Sequence, residues 1–133
     1  MQRLNIDPCP KDQLTLLISD QRYTINIEVA ETKHQKARGL MYRTQLGERE
    51  GMLFPYEQPQ EINMWMKHTY IRLDMVFIKA GGKVHRIEAN TTSDSEAVIA
   101  SNGDVIAVLE LAGGVTAKLG LKTGNAVIHR LLE

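Results

Sequence analysis

The sequence predicts a small α+β domain rich in β-structure, with two short helices against a mixed or mainly antiparallel, barrel-like sheet. Three observations predict it. Tyr23, Ile25, Ile27 and Val29 alternate with Thr24, Asn26 and Glu28, the period-2 pattern of a strand with one buried face. Further short apolar runs follow, separated by glycine and polar turn signals. Helical periodicity appears only twice and briefly, around Ala37–Met41 and over Val115–Leu119.

Residues 1–13 read as an extended N-terminal tail and residues 14–133 as one globular domain. Leu14–Ser19 and Tyr23–Val29 form a hairpin joined by Asp20, Gln21 and Arg22. Thr32 followed by Gln35 is a capping-box pattern, and Ala37, Leu40 and Met41 share a helical face. Because Leu40 and Met41 continue the periodicity, Gly39 is expected inside that helix, where another backbone comes close. Met52–Tyr56, Ile62–Met66 and Leu73–Ala80 read as strands, the first held to an edge by Pro55 and Pro59. Gly81-Gly82 turns the third into a returning strand at Lys83–Ala89. Asn90–Gly103, rich in Thr, Ser, Asp and Asn, reads as a surface loop. Val105–Leu111 is a strand, Val115–Leu119 a short helix ended by Gly120, and Ala126–Leu131 a final strand. A strand, a short helix ending Leu-Gly-Leu, a tight turn and a returning strand also occur in small cradle-type β-barrels, an analogy of fold only.

The chain has 133 residues, and its sixteen basic residues balance sixteen acidic ones. Formal neutrality removes the electrostatic reason to expect nucleic acid or an anionic membrane as partner. No apolar run approaches the roughly 18 residues of a transmembrane helix, and the first ten residues lack a signal-peptide core. Cys9, the single cysteine, stands between Pro8 and Pro10 with nothing nearby to activate it. His34, His68, His85 and His129 are scattered singly, without zinc-ligand spacing. No metal or cofactor is expected.

The blocks Gly39-Leu40-Met41-Tyr42-Arg43, Gly51-Met52-Leu53-Phe54, Met64–Thr69, Ile71-Arg72-Leu73-Asp74 and Val108–Gly113 stand in a characteristic order. From about Tyr23 to Val127 the chain resembles the domain of unknown function 192 family. The resemblance implies a small β-rich domain without an established activity. It also implies an exported, periplasmic or otherwise extracytoplasmic protein, with Met1 following a removed leader. The chain departs from the family pattern at His68, where Asn is typical, at Arg72, where Pro is frequent, and at Asn125, where Asp often follows the glycine.

Four residues could carry chemistry. Glu110 interrupts an apolar strand, on a face shared with Ile106 and Val108; a carboxyl group there must be paired, hydrogen-bonded or protonated. It reads either as a ligand-binding or acid/base group, or as an acceptor for the free N–H groups near Gly113 and Gly114. Asp74 shares a face with Val76 and Ile78, and reads as a turn acceptor or as a site residue. Asn63, Trp65 and Lys67 fall on one face of a strand, where an indole between an amide and an ammonium offers a floor for a polar or sugar-like ligand or covers a barrel rim. His68 beside Asp74 or Glu110 suggests a general base, against the family's Asn. Ser95 and Ser101 lack a nucleophile elbow. Met41, Met52, Met64, Met66 and Met75 read as core filling rather than a copper site. Lys33, Lys36, Arg38 and Arg43 make a basic, solvated helix face.

With no complete catalytic motif, the chain reads as a non-enzymatic binding or accessory domain of the cell envelope. Its ligand, a small polar molecule or glycan, is expected near Trp65, Lys67, Asp74 and Glu110. The alternatives are a small hydrolase or isomerase with Glu110 as acid or base, and a structural module recruiting a partner strand at a sheet edge near Met52–Tyr56.

Overall fold

A computed structural model describes residues 8–133. Strands β1 (Lys11–Ile18) and β2 (Gln21–Val29) form the first hairpin, in register from Lys11↔Glu28 to Ile18↔Gln21. β1 thus opens at Lys11, ahead of Leu14. The turn is tighter than the expected link through Arg22. Ser19 and Asp20 make it alone, with φ of 48° and 66°, the positive pair that fits a two-residue turn to the twist of its strands.

Helix α1 (Lys33–Arg38) starts on its capping box: Thr32 Oγ1 accepts from the Gln35 N–H and Gln35 Oε1 from the Thr32 N–H, each at 3.0 Å. It does not continue through Gly39 as expected. Gly39 ends it, with φ 48° and ψ −130°, a backbone conformation that suits glycine. A ring rather than a backbone approaches it, since an added Cβ would stand 3.3 Å from Phe54 Cζ. Leu40 is buried all the same, folded onto the sheet by the turn that follows.

Strand β3 (Glu50–Met64) is continuous where two strands were expected. It pairs with β6 (Ile99–Ala112) through two register shifts, between Pro55 and Gln60 and between Glu61 and Asn63; such irregularities let a ladder pass over residues that do not fit it. β2 lies parallel to β3 only from Asn26↔Glu50 to Val29↔Leu53. Past Leu53 the strand pairs with β6 alone, and both prolines fall in that half-paired stretch. β6 in turn begins at Ile99, so the loop before it ends at residue 98 rather than at Gly103. β4 (Leu73–Lys79) and β5 (Lys83–Glu88) are joined through Gly81 and Gly82, with φ of 91° and 76°. Helix α2 (Val115–Leu119) ends at Gly120 as expected. Strand β7 (Ala126–Ile128) stops short of the expected Leu131, because His129 caps a single 3₁₀ turn at Arg130–Leu132.

The strands close in the order β1-β2-β3-β6-β4-β5-β7, with β7 returning to β1. The ring is mixed: β2 with β3 is its parallel pair, made by the crossover through α1, and the remaining pairs are antiparallel. Every strand sends residues inward, among them Leu16, Ile25, Leu53, Val76, Val84, Leu109 and Val127. A second apolar layer covers the outside of β3, β6 and β4, where Met52, Phe54, Met75, Phe77 and Val108 lie under Leu40 and Met66. Among the described residues, no helix is long and apolar enough to cross a membrane.

Candidate functional site

Asp74 is fully buried at the start of β4 and commits both oxygens to the fold. Oδ1 accepts from the N–H groups of Asn90 at 2.7 Å and Gly114 at 3.0 Å. Oδ2 accepts from the Thr116 N–H at 2.9 Å and its hydroxyl at 2.6 Å. The free N–H groups at the start of α2 are therefore met by Asp74, not by Glu110. Register explains the exchange. Glu110 lies opposite Met52 of β3 and Met75 of β4, while Asp74 lies opposite Leu111. Residues paired across a sheet share a face and neighbours alternate, so Asp74 belongs to the inner layer, where α2 packs, and Glu110 to the outer one.

Glu110 is 4% exposed. No hydrogen bond from a described residue reaches its carboxyl group, which opens on a cleft of about 270 Å³. Burial alone pushes its pKa from 4.5 up to about 8, because the site offers nothing to replace the water that would solvate a charge. At neutral pH it is a carboxylic acid, with one proton to donate and a carbonyl oxygen to accept. Tyr56, two residues along from Phe54 on the same face of β3, lines the same cleft. Its pKa is raised by burial and by the nearby Glu110. From α1, Lys36 places Nζ 4.3 Å from the centre of the Tyr56 ring and 3.2 Å from the Glu31 carbonyl oxygen. Burial lowers its pKa, against the pull of Glu31 and Glu57.

Trp65 and Lys67 do not sit on a strand face, because β3 ends at Met64. They belong to the turn that follows, yet they reach the expected place: both line the cleft, with Asn63 beside them. Trp65 is 46% exposed, and Lys67 Nζ lies 5.2 Å from its ring centre. The structure brings Trp65, Lys67 and Glu110 around one cleft and leaves Asp74 on the other side of the sheet. His68 is outside the cleft. It stacks on Tyr42 with ring centres 5.4 Å apart, and its N–H donates to Asp94 Oδ1 at 3.0 Å. The Tyr42 N–H donates to the His68 carbonyl at 2.9 Å, which ties together the two turns that roof the outer layer. Arg43 anchors that roof to β2 through two hydrogen bonds to the Glu28 carboxylate, at 2.9 and 2.8 Å. The basic run of the sequence is thus partly committed to structure rather than a solvated helix face.

A family model matches residues 15–129, that of DUF192, described as "Uncharacterized ACR". The chain belongs to this family. No curated protein matches its sequence. Two crystal structures illustrate the likeness. One, a candidate transcription regulator from Sinorhizobium meliloti 1021, is 36% identical with a TM-score of 0.88, over 90% of this chain and 94% of its own. The other, a protein of unknown function from Novosphingobium aromaticivorans DSM 12444, is 33% identical with a TM-score of 0.87, over 94% of each chain.

In this DUF192 domain two of the three departures from the family pattern, His68 and Asn125, have local explanations. His68 adopts φ 56°, a left-handed conformation that Asn tolerates better than most residues. Asn125 Oδ1 accepts from the Lys122 N–H at 2.7 Å, a task an Asp would perform equally well. Tyr56, Lys36 and Arg38 line the cleft and were missed in the sequence. Tyr56 was findable, since period 2 places it on the face of Met52, the residue opposite Glu110. Lys36 was not, because nothing in the sequence says where α1 crosses the sheet.

Proposed function

We propose that this domain is a non-catalytic binding or accessory module that holds a small polar ligand in the cleft bounded by Glu110, Trp65 and Lys67. One observation carries the reading: a carboxyl group 4% exposed, without a hydrogen-bond partner among the described residues, opening into a cleft. A carboxyl group that no described side chain or backbone group binds, and that meets the cleft at its exposed edge, is free to bond a ligand oxygen there. The volume lies just under the range of drug-sized pockets, which suits a molecule the size of one sugar ring. Placement in the cell envelope belongs to the same proposal and is supported by the family resemblance; fractionation of cells expressing the native gene tests it. The regulator description of the S. meliloti relative is not carried over, because a formally neutral chain offers no general attraction for nucleic acid.

Trp65 is the chain's only tryptophan, so its fluorescence reports on the cleft directly. Titration with neutral, acidic and amino sugars and with small carboxylates is expected to shift its emission for at least one class and to raise the melting temperature in parallel. A flat response across all classes would overturn the reading. A second reading, general acid catalysis by Glu110 with Lys67 stabilising developing negative charge, is favoured by a pKa of about 8. Turnover of a bound ligand that is abolished in E110Q would establish it over simple binding.

A further inference from the structure

The walls of the cleft are unequal in charge. Lys36, Arg38 and Lys67 line it, and among its described lining residues Glu110 is the one acid. None of the three cations is in a salt bridge with a described residue. Lys36 donates to a backbone carbonyl, and Lys67 lies over the Trp65 ring. No carboxylate is thus bonded to them, although Glu31 and Glu57 act on Lys36 from nearby, whereas Glu110 sits between Met52 and Met75 with no cation bonded to it.

A ligand entering this cleft meets two demands. Near the lysines and Arg38, an ammonium group would be repelled and a carboxylate attracted. At Glu110, a group is needed that accepts the acid proton, and the adjacent carbonyl oxygen can accept one in return. A hydroxyl group does both. The half-exposed indole of Trp65 adds apolar area against which a ring can lie.

We infer that the cleft takes a small hydroxylated anion of the uronic-acid class, its carboxylate among Lys36, Arg38 and Lys67 and a hydroxyl exchanging hydrogen bonds with the Glu110 carboxylic acid. The inference rests on the binding function proposed above. It makes affinity depend on pH. The titratable groups that line the cleft with Glu110 are Lys36 and Arg38 from α1, Tyr56 from β3 and Lys67 from the turn after β3, and of these Tyr56 feels the Glu110 charge; β4 presents Met75, which does not titrate. Ionisation of Glu110 removes the donor and adds a negative charge beside an anionic ligand, so binding weakens as pH rises past about 8. At pH 9 about a tenth of the molecules retain the proton, and apparent affinity falls about tenfold from its value at pH 6.

Three sugars of one ring size and different charge separate the cases: glucuronate, glucose and glucosamine, titrated against Trp65 fluorescence and cleft amide resonances at pH 6 and pH 9. Glucuronate is expected to bind tightest at pH 6 and to weaken about tenfold at pH 9. In E110Q, whose amide donates and accepts but does not titrate, that loss should largely vanish, and any remainder reports Lys36. In Lys67→Ala, a substitution at a half-buried turn position, the preference of glucuronate over glucose should narrow. Glucosamine or glucose binding as tightly as glucuronate, or an E110Q pH dependence equal to the wild type's, would overturn the inference while leaving the binding function standing. No response to any of the three overturns the inference, and a flat response to the small carboxylates as well overturns both.

Discussion

Replacing Asp74 by Ala strands the buried Thr116 N–H and hydroxyl and takes the acceptor from the part-buried N–H groups of Asn90 and Gly114. Each buried donor left without an acceptor costs on the order of 1–3 kcal/mol, so the loss should exceed about 3 kcal/mol. Urea unfolding of D74A checks this. Glu110 behaves oppositely. Its pKa is about 8 in the folded chain against 4.5 for a solvated glutamate, so the folded state holds the proton more tightly than the unfolded one. The stability it gives up is absent at low pH, grows between about pH 4.5 and pH 8, and then levels. Glu110→Met should therefore raise the melting temperature, by more at pH 9 than at pH 5, while losing ligand response. The sequence marked both carboxyls as anomalous because each interrupts an apolar face. It could not say which one α2 would meet, since alternation along one strand does not reveal the register between strands.

Gly39 shows how an element boundary can escape a periodic reading. Leu40 and Met41 continue the helical spacing of Ala37, and yet the helix stops, because Gly39 turns the chain into φ 48° and ψ −130° under the Phe54 ring. Gly39→Ala forces a side chain into a conformation that costs roughly 1–3 kcal/mol and into contact with that ring. The roof over the outer layer should loosen, visible as lost dispersion of the Leu40 and Phe54 resonances and a lower melting temperature. The capping box of α1, by contrast, was legible because its signal is entirely local. Strand β3 escaped for a different reason. Its middle, residues 57–61, is polar and exposed and carries Pro59, so no apolar alternation runs through it; pairing with β6 alone carries the strand across.

Across the whole molecule, closure is uneven. β3 and β6 share a long ladder, from Gly51↔Leu111 to Met64↔Ile99, whereas β5 meets β7 in register at Lys83↔Ala126 alone. Backbone bonds such as Val127 N–H to Gly82 O at 2.7 Å reinforce that seam. Hydrogen exchange should be slowest in the centre of β6 and fastest, among the strands, in β7; uniform protection around the ring would contradict this. The barrel-like ring was legible from the likeness of the last strand, helix, turn and strand to cradle-type barrels, whereas the choice between a mixed and a mainly antiparallel sheet stayed open. The order β3-β6-β4 was not legible, because it depends on long-range pairing. That order makes β6 a partition, with Asp74 serving the fold on one side and Glu110 facing the cleft on the other. The two sides can be edited separately. The turns at residues 40–46 and 64–71 could be exchanged between relatives, as variable loops are grafted between antibodies, giving new ligand preferences on a ring whose inner packing is left intact.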